Sequence, residues 1–387
     1  MRNRKHPICK GNRGCPQTDL FKNERNNHLC RIRRRQIMGM FKKNAKIAAA
    51  GLAAIAMAGM MAGCGMSSGG DQKAAAGNGQ KVELKLAYQL PADHHLSKSV
   101  EKFAKEVNER SKGSIEVKVY PAGQLYNDQN MNDALMSGGL DIGMNSTARW
   151  SMVVPALKVL DLPFVLPTIE AADNALDGDL GKALSSEMEK KNVHPLIWAD
   201  YGYVQFCNNA KKIEKPEDFQ GLKIRSYSET SADIIQALGA APTTMSSSEV
   251  YMAIKNGTID GQSSGQTAIL SRKIYEVSKY MTVTNHSYVG YLLAINDNSW
   301  KKLSADQQKI VNDVAKEIRD EIRKETKSED ERCLKELAAK GMDVYAIPQD
   351  EIHLWQEATA PVIAKFEQEQ GDFGKQLVED CRKASQK

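Results

Sequence analysis

Strand and helix patterns alternate along the chain from residue 82 onward, and this alternation restricts the possible folds more than any other feature. Apolar residues recur at the spacing of half-buried strands over 82–86, 115–119 and 140–144. Between these segments, residues 95–111 and 128–137 show the pattern of helices. A β-α-β-α-β series of this kind predicts a mostly parallel sheet with right-handed crossovers.

A second series of the same kind follows. It contains strand patterns over 193–198 and 222–225, helix patterns over 230–238 and 248–256, and a strand after Tyr280. The 387 residues, with 41% hydrophobic content, can supply one large core or two medium ones. Two separate α/β units favour a two-domain protein over one large sheet.

A long helical pattern occupies residues 303–341. It begins with a capping box at 304–307 and keeps one apolar face at both ends, whereas residues 323–332 are wholly polar. A continuous helix of about 36 residues would span roughly 54 Å, which is longer than one domain. The pattern therefore indicates either one helix that bridges two lobes or two helices with a turn near 327–328.

The charge of the chain is distributed unevenly. The formal net charge is +5, but residues 1–46 hold 14 Lys and Arg side chains and only two acidic ones. The remaining residues carry 39 basic and 46 acidic side chains, a net charge of −7. A nucleic-acid-binding protein keeps its basic surface on the folded part, so this class is excluded.

An apolar segment near the N-terminus has the pattern of a secretory leader. Residues 41–46 are basic, and residues 47–62 form an apolar run without a charge. This run is short for a membrane span, which needs about 20 residues. We interpret 40–63 as a signal peptide.

The end of this leader resembles the lipobox of bacterial lipoproteins. Met61-Ala62-Gly63-Cys64 places a cysteine directly after small residues, although Met61 stands where Leu is usual. The resemblance implies that Cys64 carries the lipid, and the alternative is a stray cysteine in a signal-anchor helix. Residues 64–80 are rich in Ser, Gly, Ala and Asn and are typical of a flexible tether.

The cysteines outside the leader predict no metal site and no disulfide framework. We interpret residues 1–39 as a non-native extension, with translation starting at Met38 or Met40. The candidate zinc ligands of this extension lack the paired spacing of zinc sites; they are His6, Cys9, Cys15, His28 and Cys30. Cys207, Cys333 and Cys381 are too few and too scattered for a disulfide framework and are expected to be buried or free thiols.

Several short segments together resemble one protein family over roughly residues 82–380. The main ones are Gly221-Leu-Lys-Ile-Arg225, Leu238-Gly-Ala-Ala-Pro242, Glu249-Val-Tyr251, Asn256-Gly-Thr-Ile-Asp-Gly-Gln262 and Tyr280-Met-Thr-Val-Thr-Asn-His286. Three earlier ones agree: Tyr120-Pro-Ala-Gly-Gln-Leu125, Gly139-Leu-Asp-Ile-Gly143 and Leu162-Pro-Phe-Val165. In order and spacing they resemble the solute-binding proteins of TRAP-type (tripartite ATP-independent periplasmic) transporters.

The resemblance implies a two-lobed α/β architecture with a deep cleft, a closing hinge and one long helix spanning both lobes. We assign 81–202 plus 291–325 to lobe I and 203–290 plus 326–387 to lobe II. The implied function is capture of a small organic carboxylate outside the cytoplasm and its delivery to the membrane subunits of the transporter. We expect a lipid-anchored monomer, in the periplasm or on the outer face of the cell membrane, without a cofactor.

Arg225 is the first candidate for a ligand contact. It ends the apolar strand pattern at 222–225, and ligands of open α/β sheets bind at the carboxyl ends of strands. Its planar guanidinium matches a carboxylate with two parallel hydrogen bonds. The resemblance places the family's principal carboxylate-binding arginine at this position; the alternative is a surface ion-pair arginine.

The sequence departs from the family pattern at three positions of the expected cleft. Val204 stands where many members have a second arginine, Ser264 replaces an amide side chain, and Ser247 replaces an aromatic one. These changes argue against a sialic-acid or C4-dicarboxylate ligand. Arg149 and Trp150 are candidates for a replacement cation and a stacking surface, or else a solvated arginine and a packing tryptophan.

The remaining candidates lie at predicted strand ends or in the family motif; they are Asn145, Gln262, Ser264, Tyr203 and Gln89, with Tyr201 as a weaker one. His94 is more typical of a residue that fixes a loop than of a ligand contact.

A serine hydrolase is the alternative function. Gly261-Gln-Ser263-Ser-Gly265 matches the G-x-S-x-G pattern of nucleophile elbows. An elbow needs a strong strand before the serine and a helix after it, and only Thr258-Ile-Asp precedes this segment. His286 and His353 follow in the chain, but there is no His-Gly-Gly oxyanion loop, so the hydrolase is disfavoured.

Overall fold

The computed structural model describes residues 81–386. The proposed extension, leader, lipidation site and tether all lie outside this range. The strands are β1 (Val82–Tyr88), β2 (Ile115–Tyr120), β3 (Ile142–Ser146), β4 (Val193–Asn208), β5 (Lys223–Ser226), β6 (Ala241–Thr244), β7 (Gly261–Gly265), β8 (Tyr280–Asn296) and β9 (Asp343–Ala346).

The α-helices alternate with these strands and then end the chain. They are α1 (His95–Arg110), α2 (Met131–Ser137), α3 (Thr147–Trp150), α4 (Ile169–Asp177), α5 (Asp179–Glu189), α6 (Glu229–Ala237), α7 (Val250–Lys255), α8 (Gln266–Ser271), α9 (Asp297–Lys301), α10 (Ala305–Ala339) and α11 (Ile352–Ala384). Short 3-10 segments lie at Pro155–Asp161, Pro216–Phe219, Ile274–Glu276 and Gln349–Glu351. The α/β class predicted from the alternation is confirmed.

All nine strands described belong to one hydrogen-bonded sheet of order β2-β1-β3-β8-β4-β7-β5-β6, with β9 paired to β8. We call β2, β1 and β3 the first half of the sheet and β7, β5 and β6 the second half. Pairing within each half is parallel, as predicted, because crossover helices connect these strands. The central pairs β3–β8, β8–β4 and β4–β7 are antiparallel.

Two long strands join the halves, and the prediction of separate α/β units missed them. The strand expected at 193–198 continues to Asn208, and the one after Tyr280 continues to Asn296. β8 pairs with β3 of the first half over 291–295 and with β4 along its length, and β4 pairs with β7 of the second half, so the two long strands together join both halves. Register shifts interrupt the β4–β8 ladder at three places, and such bulges hide strand continuity from a period-two pattern.

The long helix is continuous, so the alternative of two helices is wrong. α10 comprises 35 residues, and Ser304 and Gln307 form the predicted capping box at its start. Its first part buries Val311, Val314 and Ile318 in the core that also holds α1 and the first half of the sheet. Near its end, Leu337 belongs to a different core with Met281 of β8. The helix therefore packs against both ends of the molecule.

The C-terminal helix α11 closes one side of the molecule. It packs against α4, α6 and the 3-10 segment Pro155–Asp161. These elements come from both lobes of the predicted assignment, and the lobe boundaries themselves remain a prediction. Cys207, Cys333 and Cys381 are buried and free, as the sequence indicated. Within residues 81–386, no helix has the length and apolarity that a membrane crossing requires.

Candidate functional site

A cavity lies where the long central strands pass between the two halves of the sheet. Residues from β3, β4, β5, β7 and β8, from the helices α3 and α8 and from the loops beside them contribute to its wall. The lining residues are Gln89, Leu90, Asp128, Ser146, Arg149, Tyr201, Val204, Arg225, Tyr227, Ser247, Ser264, Ala268, Arg272, Val289 and Tyr291. Five of the predicted candidates are among them: Gln89, Arg149, Arg225, Ser264 and the weaker candidate Tyr201.

Arg225 lies near the carboxyl end of β5, as predicted, and only 3% of its surface is exposed. Its Nε and Nη2 donate to the carbonyl oxygen of Met245 at 3.3 and 3.2 Å, and its Nη1 donates to that of Ser263 at 3.5 Å. The ring of Tyr227 lies 5.7 Å from the guanidinium carbon. No carboxylate in residues 81–386 pairs with it, so the alternative of a surface ion pair is wrong.

Burial and the neighbouring charge of Arg149 lower the pKa of Arg225 to about 10. The side chain therefore still carries its charge at neutral pH. A buried guanidinium that has only neutral acceptors is costly unless an anion compensates it. This position favours an anionic ligand.

Arg149 also lines the cavity and is buried, so it is not a solvated arginine. Its Nη2 and Nε lie 2.8 and 3.0 Å from Oδ2 of Asp128, and Nη2 donates to the Met245 carbonyl at 2.9 Å. Ser246 Oγ donates to the other oxygen of Asp128. Burial raises the pKa of Asp128, but Arg149, Ser246 and Arg225 together hold it below its usual value. Arg149 is thus already neutralised by the protein.

Arg272 forms the third cationic group of the wall, and the sequence analysis did not identify it. It caps the carboxyl end of α8, and its Nη2 donates to Oε1 of Gln89 at 2.5 Å and to the Gln89 carbonyl at 3.3 Å. Gln89 also accepts from Ser247 Oγ at 3.1 Å and donates to Tyr291 Oη at 3.0 Å. The only signal in the sequence was an arginine at a helix end soon after a strand of the site.

Aromatic rings form one side of the cavity. Tyr201 and Tyr291 stack with centroids 5.1 Å apart, and His94 stacks on Tyr201 at 5.6 Å. His94 caps α1 through Nδ1 and contacts Thr267 Oγ1 through Nε2, which agrees with a role in fixing the loop. Tyr201 Oη lies 3.4 Å from Ser264 Oγ.

Four predicted residues do not line the cavity. Trp150 is a core residue, 1% exposed, and packs rather than stacks on a ligand. Tyr203 donates to the Leu166 carbonyl at 2.6 Å, and Gln262 is buried within β7. Asn145 donates to the Asp128 carbonyl at 3.0 Å, so it supports a lining residue from behind.

The hydrolase pattern lacks the geometry of an elbow. Ser263 is the middle residue of β7 and is fully buried, and its Oγ has no hydrogen-bond partner among the described residues. His286 bonds Thr284 Oγ1 at 2.6 Å and stacks on Phe206 at 4.4 Å, which places it in a packed core. Within residues 81–386, no group of His, Cys, Asp and Glu could hold a metal ion.

Three arginines and one aspartate line the cavity, so its charged side chains sum to a positive site. An α/β fold crossed by two long strands, with a cationic cavity between the sheet halves, has the architecture expected of a solute-binding protein. Residues 86–370 match the family model of the bacterial extracellular solute-binding proteins, family 7 (DctP). The chain therefore belongs to this family, which comprises the extracytoplasmic solute-binding proteins of TRAP transporters.

Known proteins agree with this assignment. The C4-dicarboxylate-binding periplasmic protein DctP of Rhodobacter capsulatus is 30% identical over 286 residues, covering 73% of this chain and 86% of that protein. A TRAP solute-binding protein of Sulfitobacter sp. NAS-14.1 with bound β-D-galacturonate is 30% identical, with a TM-score of 0.74, covering 78% and 99% of the two chains. One from Sulfurospirillum deleyianum with bound succinate is 29% identical, with a TM-score of 0.73 and the same coverage.

Proposed function

We propose that this protein captures a small organic carboxylate in the cavity described above and delivers it to the membrane subunits of a TRAP transporter. The observation that carries the proposal is the buried guanidinium of Arg225, which has no carboxylate partner among residues 81–386. A ligand carboxylate would supply the missing charge and accept two parallel hydrogen bonds from the planar fork. The galacturonate and succinate bound by two similar proteins are both carboxylates.

The test is calorimetry on the full-length protein, with an acid chosen by a thermal-shift screen of organic acids. Arg225→Ala leaves the ligand carboxylate buried and unpaired, which costs about 2–5 kcal/mol, or roughly 30-fold to several-thousand-fold in Kd. Arg225→Lys keeps the charge but loses the fork, so it should recover only part of the affinity.

The matched control is Arg332→Ala on the exposed face of α10, which should bind as the wild type does. The melting temperature of ligand-free Arg225→Ala should stay close to the wild-type value. Near-native affinity of Arg225→Ala would refute the carboxylate site at this arginine.

We also propose that the protein is a monomer anchored to the membrane by lipid on Cys64. The apolar run 47–62, closed by Met61-Ala-Gly-Cys64, supports the anchor. Cys64→Ser should release the protein from the membrane fraction and abolish labelling by radioactive palmitate. Unchanged labelling would contradict the anchor without affecting the binding proposal.

The protein acts by binding and not by catalysis, in our proposal. The buried position of Ser263 in the middle of β7 supports this view. A fluorophosphonate probe, which labels the activated serine of a hydrolase, should leave Ser263 unmodified. Labelling that disappears in Ser263→Ala would establish the hydrolase instead.

A further inference from the structure

Met152 is a long apolar side chain that faces solvent. It lies two residues beyond α3, and 61% of its surface is exposed. A thioether in such a position is accessible to oxidants in the surrounding solution. Single exposed apolar side chains are common on protein surfaces, so the exposure alone assigns no role to Met152.

The sulfur of Met152 contacts a charged residue of the cavity wall. Its Sδ lies 3.9 Å from Nη1 of Arg149, which lines the cavity and is only 3% exposed. The Nε and Nη2 of Arg149 donate to Asp128 and to the Met245 carbonyl. Nη1 has no oxygen acceptor within residues 81–386, and a thioether is a weak acceptor. One edge of a buried guanidinium therefore faces an exposed sulfur that can be oxidised.

Oxidation replaces this weak acceptor by a strong one. Hydrogen peroxide transfers one oxygen atom to Sδ: the S–O bond forms, the O–O bond breaks and water is released. The sulfur loses two electrons, and the peroxide gains them. The sulfoxide is polar, and its oxygen can accept a charge-assisted hydrogen bond from a guanidinium. Because Met152 is already exposed, the change removes little buried apolar area.

We propose that Met152 is an oxidation site and that its sulfoxide oxygen accepts a hydrogen bond from Nη1 of Arg149. An oxidant in the surrounding solution then acts on a cationic residue of the cavity wall. Methionine sulfoxide reductases, each specific for one sulfoxide epimer, would reverse the modification. This inference goes beyond the capture of a carboxylate and does not depend on the identity of the ligand.

Met252 is the matched control. It lies on α7, is 51% exposed, and its sulfur has no hydrogen bond within residues 81–386. Full-length Met252→Leu keeps Met152, full-length Met152→Leu keeps Met252, and all other methionines are common to both variants. Both proteins are treated with dilute hydrogen peroxide, and peptide mass mapping follows each methionine. The two exposed residues should oxidise well before the buried ones, which are Met131, Met144, Met188 and Met281.

The melting temperature of the ligand-free protein reports the new hydrogen bond. Oxidation should raise it by about 1–3 °C more in Met252→Leu than in Met152→Leu, because only the first variant gains a bond to a buried guanidinium. Treatment with both reductases should remove this difference. It should also be absent in an Arg149→Lys background, because lysine keeps the charge but has no Nη1.

Glutamine variants test the same bond without an oxidant, since the amide oxygen is a permanent acceptor. Met152→Gln should melt about 1–3 °C above Met152→Leu. At the control position, Met252→Gln and Met252→Leu should melt at nearly the same temperature.

Three results would overturn the oxidation site. Met152 could resist peroxide as the buried methionines do, oxidation could shift both leucine variants equally, or Met152→Gln could melt with Met152→Leu. None of these measurements uses a ligand, so their failure is distinct from failure of the proposed function, which the Arg225→Ala calorimetry tests.

Discussion

Asp161 is a buried carboxylate at the end of the 3-10 segment Pro155–Asp161, close to the wall of the cavity. It accepts hydrogen bonds of 2.6 Å from both Tyr227 and Ser228, which follow β5. Burial raises the pKa of Asp161 to about 7, although these two hydrogen bonds oppose the rise. Tyr227 lines the cavity beside Arg225, so its hydrogen bond to Asp161 helps to fix one side chain of this wall.

We expect the stability that protonated Asp161 contributes to be lost as the pH rises through about 7. The unfolded chain has the ordinary Asp value of 3.8, so between these two values the folded state binds the proton of Asp161 more tightly. The stabilisation is therefore complete below the unfolded value and is lost above the folded one. Asp161→Asn cannot ionise, so relative to the wild type its free energy of unfolding should be higher at pH 8.5 than the value at pH 5.5 would lead one to expect, because this loss is missing.

Urea unfolding at the two pH values measures this difference. Asp350→Asn, at an exposed position, is the control and should keep the wild-type pH dependence. Asp173 and Asp330 also have raised pKa values, of about 7 and about 8, so Asp161→Asn should flatten the dependence only in part. Identical slopes in wild type and Asp161→Asn would contradict the assignment.

Individual site residues differed in how far the sequence could predict them. Arg225 was predictable because its strand pattern and its place at the strand end are local features. Asp128 and Arg272 were not, because their neighbours come from distant parts of the chain: Asp128 meets Ser246, and Arg272 meets Gln89. Trp150 was a candidate because an aromatic ring can stack on a ligand, but its side chain packs in the core.

At the scale of elements, β4 and α10 approach each other closely at one glycine. Gly202 has a φ of +105°, and a Cβ built there would lie 2.6 Å from Oδ2 of Asp330 on α10. Burial and the charge of Glu329 raise the pKa of Asp330 to about 8. A side chain at residue 202 would thus meet both an unfavourable backbone conformation and a polar neighbour.

Gly202→Ala should destabilise the protein by about 2–4 kcal/mol. The matched control is Gly341→Ala, since Gly341 has a φ of +95° and no atom within 4 Å of the added Cβ. It isolates the backbone cost, about 1 kcal/mol or somewhat more, and the difference between the two variants is the steric cost. Asp330→Ala combined with Gly202→Ala should recover part of that difference in denaturant unfolding. Equal losses in both glycine variants would rule out the close approach.

Elements with local signals were predicted well, and elements shaped by their neighbours were not. The capping box and apolar face of α10 defined its start and its helical character, although its continuity across 323–332 had rested on the resemblance. β4 contains Pro195 and Gly202, which punctuate the pattern, and its bulges shift the side-chain alternation. Its full length is determined by pairing with β8 and β7, which a single stretch of sequence does not contain.

Over the whole molecule, several hydrogen bonds join the two sides of the cavity. Ser246 and Met245, which follow β6, bond Asp128 and Arg149 beside the first half of the sheet. Tyr227 and Ser228 also bond Asp161, and Ser247 bonds Gln89. These contacts likewise join one side of the cavity to the other. Opening of the cavity would require these contacts to break.

We expect the radius of gyration in solution to decrease when ligand is added, because a bound acid adds attraction between the two sides. Small-angle scattering of the full-length protein with and without saturating ligand measures the change. Arg225→Ala at the same ligand concentration should keep the larger value. Identical wild-type profiles at saturation would argue against closure.

The strand order of the sheet also determines when the protein can fold. β3 ends at Ser146, but its antiparallel partner, Tyr291–Ile295 of β8, is synthesised much later. Bringing such distant segments together has a large entropic cost and is slow. A nascent chain therefore cannot complete its sheet until most of it has been made. For a member of an extracytoplasmic family, such a delay would favour the unfolded state that passage across a membrane requires.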